Sequence, residues 1–298
     1  MEAAGRLVPV GEAELHVVEQ GEGPAVVLCH GFPELAHSWR HQLRALAAAG
    51  YRAIAPDLRG FGASACPGAI EDYDVLALCA DLCGLLDALD EEQAVFVGHD
   101  WGASLAWQLA LLHPERVHAV AGLSIPFTMR APAPPMEILR RRFGADFYMA
   151  WFQQIGEPER LLARDVLRTV TATEAWTRAW ALRSAPGHRP AWLDEEDVAV
   201  YREAFARTGF VGGLNLYRNI DRNWSLTPQL SGRRIEQPAL FLRGSEDWVA
   251  HFLSPAGLER GLADLRDSVV VEGAGHWVQQ ERPDEVSEAL LAFLAGLP

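Results

Sequence analysis

The chain is short of cysteine, of long apolar runs and of positive charge, and each shortage removes a class of protein. Only four cysteines occur among 298 residues, too few for a disulfide-stapled secreted scaffold. They stand at Cys29, Cys66, Cys79 and Cys83, and none has metal spacing with a histidine, so no metal or other cofactor is expected. Cys79 and Cys83 are one helical turn apart, where two thiols on one face read as packing residues. The pattern fits a reducing, cytoplasmic setting. No apolar run approaches the length of a membrane span, and the start Met1 to Leu7 lacks the basic segment and apolar core of a secretory signal. A formal charge of -14 argues against nucleic acid and anionic membranes as partners, because both are bound through basic patches.

What remains has the composition of an ordinary globular protein, 49% hydrophobic and 22% charged. The length permits a large core in one or two domains. Strand-like runs at Glu14 to Glu19, Ala25 to Cys29, Arg52 to Ala55, Ala94 to Val97 and Val117 to Leu123 alternate with helical patterns at Ser38 to Ala49, Val75 to Leu89 and Trp101 to Leu112. That alternation predicts an α/β fold with a mostly parallel central sheet. The proline-rich stretch Arg130 to Pro135 reads as a hinge or linker. Beyond it, Met136 to Arg222 is Trp-rich and helical in pattern, with Arg140-Arg141-Arg142 as a solvated helix face. Strand signals resume at Pro238 to Leu242 and Ser268 to Val271, followed by a helix from Pro283 to Leu294. The expected organisation is a core from residues 1–130 and 231–298, interrupted by a helical cap at 131–230.

The segment Ala94 to Ala103 reads as a buried strand, a sharp corner at Asp100 and a helix opened by Trp101. This is the context of a nucleophile elbow, with an aspartate where serine is usual. Taken alone, an acid here is equally readable as a helix N-terminal residue favoured by the dipole. As a nucleophile it allows different chemistry from serine. Attack at an sp³ carbon by serine would leave an ether that water does not readily cleave, whereas attack by a carboxylate leaves an ester, which acyl chemistry can release.

Such a route needs a base for the water, an acid to orient that base, and donors for the developing oxyanion. His276 lies in Gly273-Ala274-Gly275-His276-Trp277, directly after a strand signal. The loop Gly244-Ser245-Glu246-Asp247 follows the preceding one, with Asp247 the preferred acid and Glu246 the alternative. The order Asp100, Asp247, His276 is the nucleophile, acid, histidine order of α/β-hydrolases. The backbone N–H groups of Trp101 and Phe32, the latter in His30-Gly31-Phe32-Pro33, are the expected oxyanion donors.

Together these motifs resemble those of the α/β-hydrolase-fold epoxide hydrolases of the soluble and microbial type. The likeness rests on His30-Gly31-Phe32-Pro33-Glu34, Asp57 to Ser64, Gly98-His99-Asp100-Trp101-Gly102 and Gly275-His276-Trp277, and extends from about Val8 nearly to the C-terminus. It implies a cofactor-free hydrolase that converts an epoxide and water into a vicinal diol. Two further segments, Phe147 to Gln153 and Thr208 to Asn219, match cap segments that each carry a tyrosine bonding the epoxide oxygen, which implies that role for Tyr148 and Tyr217. The chemistry agrees: phenols of pKa about 10 stay neutral at rest and donate to a developing alkoxide. Met149 departs from the glutamine of mammalian soluble enzymes, and the resemblance is to the hydrolase domain alone.

A haloalkane dehalogenase would share the Asp-His-acid machinery, but that family typically carries Asn where Phe32 stands. A catalytically silent α/β-hydrolase-fold binding protein would be expected to have lost part of the triad. Phe32, Pro33, Trp101, Phe127, Met149, Trp151, Leu214 and Trp277 are the expected pocket lining and suggest a small apolar epoxide as substrate. Regiochemistry, enantiopreference and oligomeric state have no signal in the chain.

Overall fold

The computed structural model describes residues 5–172 and 187–298. Eight strands form one sheet: β1 (Arg6–Val10), β2 (Ala13–Gln20), β3 (Ala25–Cys29), β4 (Arg52–Pro56), β5 (Ala94–His99), β6 (Val117–Leu123), β7 (Ile235–Gly244) and β8 (Leu262–Val271). Their spatial order is β1-β2-β4-β3-β5-β6-β7-β8. The pairs β1–β2 and β2–β4 are antiparallel, and every later pair is parallel. The central strands β3 and β5 are buried at every residue, as parallel strands covered on both faces must be.

Strand β1 has no counterpart in the sequence reading. It is five residues long, contains Pro9 and lies at the sheet edge, where proline costs no central hydrogen bond but blurs a strand signal. The last two strands are longer than expected, beginning at Ile235 and Leu262.

The two sheet faces receive different helices. Leu43 and Leu46 from the helix Arg40–Ala48 join Leu290, Phe293 and Leu294 from the helix Pro283–Ala295 in one apolar cluster. On the other face, Leu78, Leu82 and Leu85 of the helix Val75–Ala88 pack with Leu105 and Leu109 of the helix Trp101–Leu112. Asp74 starts the first of these by accepting from the N–H groups of Leu76 and Ala77. The second ends ahead of His113-Pro114, where proline disfavours helical geometry in the residue before it.

Between β6 and β7 the described residues form helices and connecting segments but no strand, the helices including Pro135–Phe143, Tyr148–Trp151, Glu195–Thr208 and Val211–Arg218. Residues 173–186 of the expected helical span lie outside the described residues. The proline-rich entrance to this insertion is clamped to its exit. Arg130 donates to the carbonyls of Trp224 and Thr227 and stacks its guanidinium 4.2 Å from the Trp224 ring, while the Trp224 indole donates to the Ala131 carbonyl. A second tie comes from Asp197, which accepts from both His37 and Arg40 of the core. Arg140, Arg141 and Arg142 are exposed.

Candidate active site

The corner after β5 is tight. Asp100 has φ 51°, a conformation that costs a non-glycine residue about 1–3 kcal/mol and persists only where its surroundings hold it. Gly102 makes the corner feasible, since a Cβ there would stand 2.0 Å from the Cys29 carbonyl oxygen. The turn therefore presents the Asp100 carboxylate at the carboxyl end of the parallel strands, between Phe32 of the loop after β3 and His276 of the loop after β8.

The two oxygens of that carboxylate have different surroundings. Oδ1 accepts the Phe32 N–H at 2.9 Å, and the Trp101 N–H also holds the carboxylate. Oδ2 lies 3.8 Å from Nε2 of His276. Burial raises the pKa of Asp100 and prevails over the opposing pull of His276 and His99 and of the two backbone N–H groups.

His276 sits beyond β8 with Nδ1 3.0 Å from Oδ1 of Asp247. Asp247 rather than Glu246 makes this contact, because Asp247 is buried and Glu246 is exposed. The Val249 N–H donates to the same Asp247 oxygen at 3.0 Å. Burial would make the imidazole less basic, but the charge and hydrogen bond of Asp247, with Asp100 and Glu34 adding to them, push its pKa up to about 9. Burial likewise opposes ionisation of Asp247, and His276, with the Val249 N–H and the Ser124 hydroxyl adding to it, outweighs burial, so that carboxyl titrates below its ordinary range.

Tyr148 and Tyr217 enter from the insertion on two different helices, with ring centroids 5.9 Å apart. Tyr217 lies edge-on to Trp101 at 4.9 Å and to Phe32 at 5.6 Å. Tyr148 packs on Trp248 at 5.7 Å, and Trp248 packs on His276 at 5.6 Å. Burial, with the charge of Asp100 adding to it, pushes both phenols well above their usual pKa, which keeps them neutral donors. Their helices meet the core closely: a Cβ on Gly213 would stand 2.1 Å from the Phe32 ring. Gln153 joins the two segments by donating to the carbonyls of Met149 and Tyr217 at 3.0 and 2.9 Å.

A second polar network, without a role in the sequence reading, lies beneath these groups. Glu34 Oε2 accepts from the Gly31 N–H at 2.9 Å and lies 2.6 Å from Nδ1 of His99; Oε1 accepts from Gln279 at 2.7 Å. Nε2 of His99 then reaches the His276 backbone carbonyl at 2.8 Å, and the Ser124 hydroxyl donates to the same carbonyl at 3.0 Å. Glu34 and His99 stand inside motifs recognisable from the sequence, but nothing in their spacing shows that they meet. Ser124 carries no sequence signal at all.

The expected lining residues fall into separate environments. Phe32 and Trp101 contact Tyr217, and Pro33 and Leu214 are buried close by in sequence to them. Met149 is partly buried against the core, beside Tyr148 in the chain. Phe127 and Trp101 border a cavity of about 260 Å³ that reaches Met129, Arg130 and Arg233. Trp151 is buried, and its indole donates to Glu157 at 3.1 Å. Trp277 packs on His99 and His276, at 5.8 and 4.8 Å. Among the described residues no cluster of three or more His, Cys, Asp or Glu has metal-holding geometry, and no helix is long and apolar enough to cross a membrane.

Comparison with known proteins agrees with this geometry. Residues 24–283 match the α/β-hydrolase fold family. The chain is 47% identical to epoxide hydrolase A of Mycobacterium tuberculosis, over 98% of this chain and 97% of that one. It is 42% identical to an epoxide hydrolase of Caballeronia sordidicola, over 94% and 90%. The crystal structure of epoxide hydrolase A from Mycobacterium thermoresistibile superposes with a TM-score of 0.91 at 46% identity, covering 99% of this chain and 98% of that one. Likeness of this extent, over sheet and insertion alike, means that the chain belongs to the epoxide hydrolases of the α/β-hydrolase fold family.

Proposed function

We propose that this epoxide hydrolase opens small apolar epoxides through an ester on Asp100 and releases the vicinal diol with water activated by His276. The observation that carries the reading is the unequal treatment of the Asp100 oxygens. Oδ1 already accepts the Phe32 N–H at 2.9 Å, while Oδ2 stands 3.8 Å from His276, too far for a hydrogen bond to it.

Oδ2 attacks a ring carbon, the carbon–oxygen bond of the ring breaks, and the oxirane oxygen takes a proton from Tyr148 or Tyr217. Two neutral phenols facing the nucleophile across the substrate suit that transfer, because the leaving alkoxide is strongly basic. His276 then removes a proton from water as the water attacks Cγ of Asp100. Negative charge develops on Oδ1, where the Phe32 and Trp101 N–H groups stabilise it. The bond from Cγ to Oδ2 breaks as Oδ2 takes the proton held by His276, the diol leaves carrying Oδ2, and the proton on the regenerated Asp100 carboxyl returns to the tyrosinate.

His276 needs its neutral form for the second step. Its elevated pKa belongs to the resting enzyme, in which two carboxylates flank it. Esterification of Asp100 removes one of those charges and makes the imidazole less basic just when it must accept a proton from water. The Asp100 ester thereby prepares its own hydrolysis.

The reading includes a division into a core of residues 1–130 and 231–298 and a cap of 131–230, the cap supplying the tyrosines. Four free thiols support a cytoplasmic location. The deciding measurement is turnover of styrene oxide to its diol beside halide release from a matched bromoalkane. Diol formation should dominate. Faster halide release would transfer the assignment to dehalogenase chemistry.

A further inference from the structure

We infer that Ser124 is a positioning residue for His276, required in the hydrolytic half of the reaction and dispensable in the ring-opening half. The inference rests on the proposed roles of Asp100 and His276.

Ser124 follows β6 and is one of only three described non-glycine residues with positive φ, at 67°; another is Asp100 itself. Such a conformation has to be held by its neighbours, and it concentrates where function demands it. Here the Ser124 N–H donates to the Leu242 carbonyl on the neighbouring strand β7 at 2.9 Å, which anchors the backbone between the strands preceding the catalytic loops. The side chain is buried, and its hydroxyl donates to the His276 carbonyl at 3.0 Å. Against the opposing effect of burial, Ser124 is also among the groups that hold Asp247 ionised, after His276 and the Val249 N–H in order of size.

A hydroxyl has one proton, so it serves one of these two acceptors at a time. While it donates to the His276 carbonyl, Asp247 Oδ2 is buried without a hydrogen-bond partner. Either orientation acts on the pair that must activate water: one fixes the His276 backbone, the other stabilises the carboxylate that orients the ring. His99 reaches the same carbonyl at 2.8 Å, so the histidine backbone is held by two groups, one at the end of β5 and one just after β6. The Ser124 hydroxyl acts on the His276 carbonyl and on Asp247, the groups assigned to water activation, whereas ring opening is assigned to Asp100, Tyr148 and Tyr217. Loss of its hydroxyl therefore weakens one half-reaction alone.

The test is rapid-quench intact-mass spectrometry with styrene oxide, which separates the rate of Asp100 alkylation from the rate of ester loss. Ser124→Ala, Ser124→Gly and Ser124→Asn are compared with wild type, each checked for an unchanged near-UV circular dichroism spectrum. Alkylation should stay within about twofold in all three. Ester loss should slow about tenfold in the Ala and Gly variants, the scale expected for one buried hydrogen bond, so that the ester accumulates. Asn tolerates positive φ and carries an amide donor, and should recover most of the lost rate. Equal slowing of both steps, or an Asn variant no better than Ala, overturns the positioning role. A Gly variant that matches wild type also overturns it, because backbone strain rather than the hydroxyl would then be the cause. If wild type forms no ester at all under these conditions, the reading of Asp100 as nucleophile fails instead, and the role of Ser124 falls with it.

Discussion

Asp100 Oδ2 and His276 Nε2 stand 3.8 Å apart, beyond hydrogen-bonding distance yet close enough for their charges to interact. The spacing distinguishes this pair from a serine–histidine pair, in which the base must bond the nucleophile to deprotonate it. A carboxylate is already ionised and needs no such service. In the proposed reaction His276 is thereby left to act on water in the second half.

The oxygen transferred to substrate should come from the protein. In a single turnover with excess enzyme in heavy-oxygen water, the first diol should be essentially unlabelled and the label should appear in Asp100. A fully labelled first diol would mean direct attack by water. Asp100→Ala should abolish turnover while the fold is retained.

His276→Gln should separate the two half-reactions. The nucleophile remains ionised without the base, so the variant should alkylate and then stall, and its mass should rise by one substrate. Steady-state turnover near the wild-type rate would rule out His276 as the base. Asp247→Asn should impair the same step, through loss of the carboxylate that orients the imidazole.

The pKa of His276 should depend on the charge of Asp100. It lies near 9 with both carboxylates present, above its unfolded value of about 6.5. The resulting stability is fully present below about pH 6.5 and is lost as pH rises through 9. In Asp100→Asn the imidazole should titrate clearly lower, and the part of that pH dependence owed to Asp100 should disappear. NMR titration of the ring together with denaturation as a function of pH measures both. An unmoved titration would show that the two groups are uncoupled.

Removing either cap phenol should slow ester formation. Tyr148→Phe and Tyr217→Phe should each lose about 10²-fold where the partner does not compensate, as for a missing general acid. The double variant should be nearly inactive toward epoxides yet folded, because only hydroxyl groups are lost. Stopped-flow measurement of alkylation reads the effect, and an unimpaired double variant would remove the tyrosines from the mechanism.

Gly102→Ala tests the construction of the elbow rather than its chemistry. The added carbon would stand 2.0 Å from the Cys29 carbonyl oxygen, so the helix has to move. A loss of about 1–3 kcal/mol is expected, read as a lower thermal midpoint, with falling activity as the Trp101 N–H leaves its place. Unchanged stability and activity would mean that the corner relaxes freely.

By itself, the sequence determined the elements other than the edge strand β1, though not the full length of β7 and β8, and the chemical types at their ends. Local patterns suffice for this: an uninterrupted apolar run announces β5, the corner residues announce the elbow, and a strand followed by a glycine-bearing loop marks the neighbourhood of His276. Asp247 and Glu246 adjoin in the chain and are chemically alike, so pattern alone left both open. Only the tertiary structure separated them, by burying Asp247 against His276 and leaving Glu246 exposed. The same is true of the meeting of Glu34 with His99, 65 residues apart, and of Ser124 with the His276 carbonyl, 152 residues apart. These contacts arise from strand order and from loops emerging at one edge of the sheet. Burial and long-range hydrogen bonding have no periodicity along the chain, and exist only once the strands have been set side by side.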